Sequence, residues 1–238
     1  MTEATLQRTA AGPLARDSLS AQIYDGIRSK LMTGALEPGE RLNIRRLADA
    51  FATSPTPVRE AVMQLVREGA LELRPGHELR VPVLSIDRYI KLRQVRAPLE
   101  RLAAELAAPI ISAASLQALD DINRDYMGAE RKKRWKDALA LHAEFHLTIY
   151  RASRNEFLIN TIENLWLLSG PFLLNQYPSA IHPHDDQHPH LLVIEALRRR
   201  DAKQAGEVIW QGLDHGSALI VDKLKREADG RNESTDRR

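Results

Sequence analysis

The sequence has no cysteine, which excludes disulfides, thiolate-ligated zinc, iron–sulfur clusters and thiol nucleophiles. Any metal must therefore sit on His, Asp or Glu. Aromatic residues are scarce at 5%, and no apolar run approaches the ~20 residues of a membrane span. The first 17 residues lack the apolar core of a signal peptide, so a soluble, cytoplasmic chain with no membrane partner is expected. Neither sign of charge dominates: 34 Lys+Arg stand against 32 Asp+Glu, so a nucleic-acid contact must come from a local patch. At 238 residues and 43% apolar the chain is long enough for two modest domains and too apolar for a disordered tail protein.

What is present is mainly helical. Leu19, Ile23, Ile27 and Leu31 recur every fourth residue after Ser18, a plausible N-cap, and the pattern stops at Gly34. A Pro-Gly turn follows in "LEPGERLN", then Ile44, Leu47, Ala48 and Phe51 mark a short helix. After "TSPTP", Val58, Ala61, Val62, Leu65 and Val66 mark a third helix, closed at Gly69. The period then changes from 3.6 to 2: "ALEL" and "LRVPV" flank "RPGHE", a β-hairpin with Pro75-Gly76 at its tip. Three helices and a hairpin make a winged helix-turn-helix over residues 18–84, preceded by a disordered residues 1–17.

Beyond Ser85 the strand signal vanishes. About six helices are expected, roughly 86–108, 114–131, 134–151, 155–174, 188–200 and 202–227, forming an all-α bundle over 85–228 with a disordered tail at 229–238.

In a helix-turn-helix the second helix of the motif enters the major groove, and its N-terminal residues meet the bases. Those residues are Ser54, Thr56 and Arg59, with Arg45 and Arg46 at the start of the preceding helix. Arg59 can offer a bidentate fork to guanine, while Ser54 and Thr56 suit phosphates or a helix cap. A lone arginine is more often a solvated surface charge. Five polar or basic groups converging on one helix start argue for DNA.

The stretch from "QIYDGIRSKLMTGALEPGERLN" through "TSPTPVREAVMQL" to "RPGHELRVPVLS" resembles the DNA-binding domain of GntR-type bacterial transcription regulators. The second half resembles the all-helical effector domain of the FadR branch, an FCD-type domain, through "VRAPLERLAAELAA", "FHLTIYRASRN" and "HLLVIEALRRRDAKQA". The resemblance implies that Arg45 and Arg59 read DNA, that the hairpin tip at Pro75, Gly76 and His77 touches the minor groove, and that the chain is a homodimer on a two-fold symmetric operator. Most members are repressors. One departure is Pro55, where family members commonly carry Arg, so a contact is missing or is supplied by Arg46.

Three imidazoles point toward the bundle interior. His142 and His146 are one turn apart beside Phe145 and Ile149, and His190 lies on the apolar stripe of Val193, Ile194 and Leu197. A single inward histidine is usually a hydrogen-bonded core residue, but helix bundles also build metal sites from facing helices. The resemblance implies an Asp and a His one turn apart, then two more His on the last two helices, holding a divalent metal that receives a small carboxylate effector. His146 and His190 match. The Asp position is His142 and the last His position is Gly212, with His215 one turn beyond as a candidate fourth ligand. Asp137, nine residues before His146, is on the opposite face. An all-imidazole set suits zinc or nickel and favours an anionic ligand, the alternative being a dead site filled by water or ligand. His182, His184, Asp185 and Asp186 read as a solvated loop.

Arg96, in "VRAPLE", is an effector-carboxylate candidate that can equally pair with Glu100 at i+4. Asn155, the other effector-binding candidate, starts a helix and suits an N-cap. The expected function is a non-enzymatic, sequence-specific transcription regulator controlled by a small carboxylate. Two rivals stand beside it: a three-His metal-dependent hydrolase, for which Glu144 is about 160° from His146 and no base is evident, and an architectural DNA binder with a vestigial sensor.

Overall fold

The computed structural model describes residues 14–76, 78–177, 179 and 188–235. The chain divides into two compact units, one of residues up to Ser29 with Glu40–Pro82, the other of Lys30–Gly39 with the chain from Val83 onward. The segment 30–39 belongs to the second unit, which nothing in the hydrophobic pattern signals.

The first unit holds α1 (Leu14–Met32, its last turn in the other unit), α2 (Ile44–Ala50) and α3 (Pro55–Arg67), with β1 (Arg41–Leu42), β2 (Glu72–Arg74) and β3 (Glu78–Arg80). Ile23 and Ile27 of α1 and Val58, Ala61, Val62 and Leu65 of α3 are all 1% exposed or less and make up the unit's small core. Helix α1 starts at Leu14, before Ser18, so the N-cap expected at Ser18 and the disorder expected for residues 14–17 give way to helix; "LARD" carries good helix formers and no breaker. Leu19 is 37% exposed and leaves the apolar stripe to Ile23 and Ile27.

Asn43 caps α2, its Oδ1 accepting from Arg45 N at 2.9 Å and Arg46 N at 3.1 Å. Helix α3 opens differently. Ser54 makes no side-chain cap bond, and Pro55 occupies the first turn, where its missing N–H costs nothing and its fixed φ is already helical. Gly69 closes α3 at φ +75°, a left-handed conformation that suits glycine.

The hairpin is a three-stranded sheet in the order β1-β3-β2, with Leu73 opposite Leu79 and Leu42 opposite Leu79 on the other side. The extra strand is two residues long, too short to show a period of two. Gly76 takes φ +83° in the turn at the hairpin tip.

The second unit is helical: α4 (Ile86–Ala107), α5 (Ala113–Arg131), α6 (Trp135–Ala152), α7 (Glu156–Ser169), a 3-10 helix (Gly170–Gln176), α8 (Pro189–Arg198) and α9 (Ala202–Thr235). Helix α4 packs chiefly on α9, α5 on α6, and α8 on α9. Its inner face is Arg96, Ala97, Glu100, Ala103, Ala104 and Ala107, so small residues let neighbours approach while one ion pair is carried inward. Trp166, Tyr150, Phe145 and Phe172 are the largest fully buried side chains.

The single helix expected over 155–174 is broken at Ser169. Pro171 has no N–H to give to Leu167 O, and a Cβ on Gly170 would fall 2.2 Å from Leu31 O, so the chain tightens into 3-10 geometry there. Glu156–Gln176 has the length and mean hydropathy (1.2) of a membrane span, but half of it is buried inside the protein and Glu163 pairs with Arg151 at 2.6 Å. At the other end α9 runs to Thr235, so residues 229–235 are helical where a disordered tail is expected: no proline interrupts them, and the helix propagates from the packed turns before.

Candidate DNA-reading surface and ligand cavity

Arg45, Arg46, Ser54, Thr56 and Arg59 are all exposed, and the three arginines make no ion pair among the described residues. They stand at the starts of α2 and α3, and their guanidinium groups are not committed elsewhere. This contrasts with the wing, where Arg41 and Arg80 both pair with Glu78. Those two arginines hold Glu78 below the usual carboxylate range, the hydrogen bond from Arg80 contributing most. Gly76 is exposed at the tip; His77 lies outside the described residues.

In the second unit His142, His146 and His190 come together. One ring nitrogen of each lies within 4.8 Å of the other two. The ring centroids are 4.4 Å apart for His142 and His146 and 5.4 Å for each of these with His190. The two rings from α6 are presented one turn apart, and the His190 ring stacks at 3.8 Å on Phe145 between them.

The proton positions follow from the neighbours. Tyr150 gives its single hydroxyl proton to Glu100 Oε2 at 2.6 Å, so its oxygen can only accept from His146 Nδ1, 3.0 Å away. His146 is thus protonated on Nδ1 and keeps a lone pair on Nε2. His190 Nδ1 lies 3.1 Å from Asn123 Oδ1, an acceptor, which puts its proton on Nδ1 as well. His142 Nδ1 is buried and has no hydrogen-bond partner among the described residues. Burial is the main force lowering the pKa of His142, to about 3, with His188 and the Arg96 cation adding to it. His146 is driven far below its ordinary value, first by burial and then by His142 and Arg96. This keeps His142 and His146 neutral at physiological pH, as a metal requires.

Beyond the histidines the cavity encloses about 270 Å³. Arg96 borders it but is engaged: Nε donates to Glu100 Oε1 at 2.6 Å, Nη1 donates to Ser169 Oγ, and the guanidinium lies 4.6 Å above the Trp166 ring. Burial opposes its charge, yet Glu100 outweighs that and raises the Arg96 pKa. Of the two roles weighed for Arg96, the pairing with Glu100 is met, and the residue also lines the cavity. His215 borders the cavity too, exposed at its rim and outside the cluster of three. Asn155 does not line it; its Oδ1 caps α7 by accepting from Leu158 N at 3.1 Å. Asp137 is exposed and pairs with Arg134 at 3.1 Å, on the far face of α6. His182, His184, Asp185 and Asp186 lie outside the described residues.

Several groups were given no role from sequence. Tyr150 follows His146 by four residues, a spacing that is visible in "HLTIY". His188 caps α8 through Nδ1, which accepts from His190 N at 3.1 Å, and so fixes the helix that carries His190. Tyr126 packs its ring 4.7 Å from His190 and gives its proton to Glu130 at 2.5 Å. Asn123 and Tyr126 come from α5, and no local pattern links them to the histidines.

An uncommitted basic helix start in one unit and a ligand-sized cavity in the other are the two halves of a transcription regulator that binds DNA and senses a small molecule. Known proteins agree: residues 19–81 match the bacterial regulatory proteins of the gntR family and residues 91–215 match the FCD domain. The chain belongs to the gntR family, and its second half is an FCD effector-binding domain. It is 28% identical over 219 residues to the HTH-type transcriptional regulator McbR of Escherichia coli K12, covering 90% of this chain and 98% of that one. The solved structure of E. coli McbR/YncC superposes with a TM-score of 0.78 over 86% of this chain and 98% of that one. The Exu regulon transcriptional regulator of E. coli K12 is 25% identical, over 86% and 85% of the two chains. The HTH-type transcriptional repressor RspR of E. coli K12 is 24% identical, over 85% and 89%.

Proposed function

We propose that this chain is a cytoplasmic repressor, a homodimer on a two-fold symmetric operator, whose DNA affinity is set by a small carboxylate held in the FCD cavity through a divalent transition metal. The first 84 residues carry DNA binding through Arg45, Arg46, Ser54, Thr56, Arg59, Gly76 and His77. Residues 85–228 carry the effector site and the dimer contact. One recognition helix reads too few bases for selectivity, which supports the two-fold arrangement. The similarity to RspR, a repressor by its name, supports the direction of control.

The observation that carries the metal is the protonation pattern. His146 and His190 each spend Nδ1 on a fixed acceptor, Tyr150 and Asn123, which holds both rings in the orientation that brings them together with His142. Such outer partners are what metal-ligating histidines use to fix ring and tautomer. His142 Nδ1, buried with no partner, fits a third ligand, and His215 at the rim is the candidate fourth. Zinc or nickel suits three imidazoles. When bound, the metal supplies positive charge and an open position for a carboxylate; with no protein carboxylate among the three histidines, that charge is left for the ligand. Arg96 and Asn155 are the remaining effector candidates, Arg96 through the cavity wall and Asn155 only through the start of α7.

A hydrolytic role is less well supported. The buried carboxylate nearest the histidines in the bonding chain, Glu100, is held by Arg96 and Tyr150, and Glu144 is exposed. The test is elemental analysis of untagged protein, wild type and His146→Ala, after exposure to zinc, nickel and manganese. About one metal per chain in the wild type and a clear loss in the variant are expected. A metal-free wild type would refute the metal, and the cavity would then present Arg96 to the effector.

A further inference from the structure

We propose that Gly212 and Gly216 shape this cavity for a carboxylate with a short apolar tail, headgroup at the histidines and tail along the bare backbone of α9. This rests on the reading of the cavity as the effector site and adds the class of ligand.

Glycine inside a helix disfavours it relative to alanine, so each one needs a reason. Gly206, earlier in α9, has one in packing: a Cβ there would lie 2.5 Å from Glu105 Cγ. Gly212 has none of that kind. A Cβ at Gly212 would meet only Pro189 Cβ, at the ordinary contact distance of 4.0 Å, and its φ is not in the left-handed region. What glycine leaves at 212 is therefore space, and that space borders the cavity. Gly216 is one turn on, also on the wall, where a Cβ would come 3.2 Å from the end of the Gln176 side chain. Two glycines at i and i+4 leave one face of α9 bare, open to the cavity at 212 and approached at 216 by the Gln176 amide.

The rest of the wall matches an apolar tail. Val193, Val208, Ile209, Leu173 and Ile220 line it. Three of the polar groups on the wall are already engaged with neighbours: Tyr89 OH with Ser217 at 3.4 Å, Tyr126 OH with Glu130 at 2.5 Å, and Arg96 with Glu100 at 2.6 Å. A polyhydroxylated acid would bury hydroxyls against aliphatic side chains, which disfavours binding. The volume of about 270 Å³ is worth roughly nine waters, the size of hexanoate or benzoate.

The experiment is calorimetric titration of the full chain in zinc-containing buffer with acetate, butanoate, hexanoate and glucuronate, for wild type, Gly212→Ala and Gly212→Leu. Affinity is expected to rise about fourfold per added methylene up to hexanoate, with glucuronate weaker than hexanoate although both have six carbons. Gly212→Leu should cut hexanoate affinity at least tenfold and leave acetate within about twofold. Gly212→Ala, measured without ligand, should melt at a higher temperature than wild type, since the glycine is not a packing requirement. A lower melting temperature for Gly212→Ala, or acetate binding with no gain along the series, or glucuronate binding more tightly than hexanoate, overturns the proposal while leaving the effector reading intact. Failure of all four acids, acetate included, to bind the wild type defeats the effector reading itself.

Discussion

Tyr150 stands one turn after His146 on α6 with its oxygen 3.0 Å from Nδ1, and Glu100 fixes the direction of that bond by taking the tyrosine proton at 2.6 Å. The ring can turn only by breaking a buried bond. Replacing Tyr150 by Phe keeps the ring volume and removes the acceptor. Metal affinity should fall about 10- to 100-fold, the usual cost of losing such an outer partner. Competition against a chromogenic chelator measures it; unchanged affinity would show that His146 is oriented by packing alone.

Arg96 and Glu100 form a buried ion pair one turn apart on α4. Arg96→Met leaves the Glu100 carboxylate in an apolar setting with only Tyr150 to solvate it, and should cost about 3 to 5 kcal/mol. The double variant Arg96→Met/Glu100→Gln should recover most of that loss. Urea unfolding followed by tryptophan fluorescence reports both, and equal destabilisation of the single and double variants would remove the unpaired charge as the cause.

Acid should destabilise the metal-free protein. The folded pKa of His142 is lowered to about 3 and that of His146 is lowered too, both first by burial, so in the range below about 6.5 the unfolded chain binds protons that the folded one does not. Stability is full above that range and is lost as pH falls, by about 1.4 kcal/mol per pH unit for each such histidine. Denaturant midpoints in EDTA from pH 7.5 to 4.5 should show the slope, and His142→Leu should flatten it. A profile unchanged by that substitution would count against a neutral buried His142.

Arg59 is exposed near the start of α3 with no ion pair among the described residues. Arg59→Ala should cost about 1 to 3 kcal/mol on the cognate operator and relax specificity at one base pair. Fluorescence anisotropy on specific and random duplexes separates the roles, since equal loss on both would reduce Arg59 to a phosphate contact.

Much of this architecture was legible because it rests on local periodicity. The stripe at Val58, Ala61, Val62 and Leu65 and the switch to period two after Gly69 each follow from one element's own burial. The i,i+4 pair His142 and His146 was readable for the same reason, and so was the alternative pairing of Arg96 with Glu100. What stayed hidden depends on partners distant in sequence. Asn123 meets His190 across 67 residues, and Tyr150 meets Glu100 across 50. The two-residue β1 gives no period to read, and the break of the helix at Gly170-Pro171 is dictated partly by backbone at Leu31 and Met32. A turn such as the one at Arg200 is likewise settled from afar: the residue takes φ +55°, and its guanidinium donates to Pro109 O at 2.5 Å.

The Trp166 indole borders the cavity beneath the Arg96 guanidinium, and its Nε1 donates to Met32 O at 3.2 Å, in the last turn of α1. An indole's emission follows the electric field along its ring, and here that field has two fixed sources, a cation over the face and a carbonyl at the edge. Of the other two tryptophans, Trp135 stacks on Tyr177 at 4.9 Å and Trp210 is half-buried in α9. With those two changed to Phe, the protein carries its own optical gauge. Its colour then reports what occupies the cavity, and its quantum yield whether the carbonyl at the end of α1 is still held.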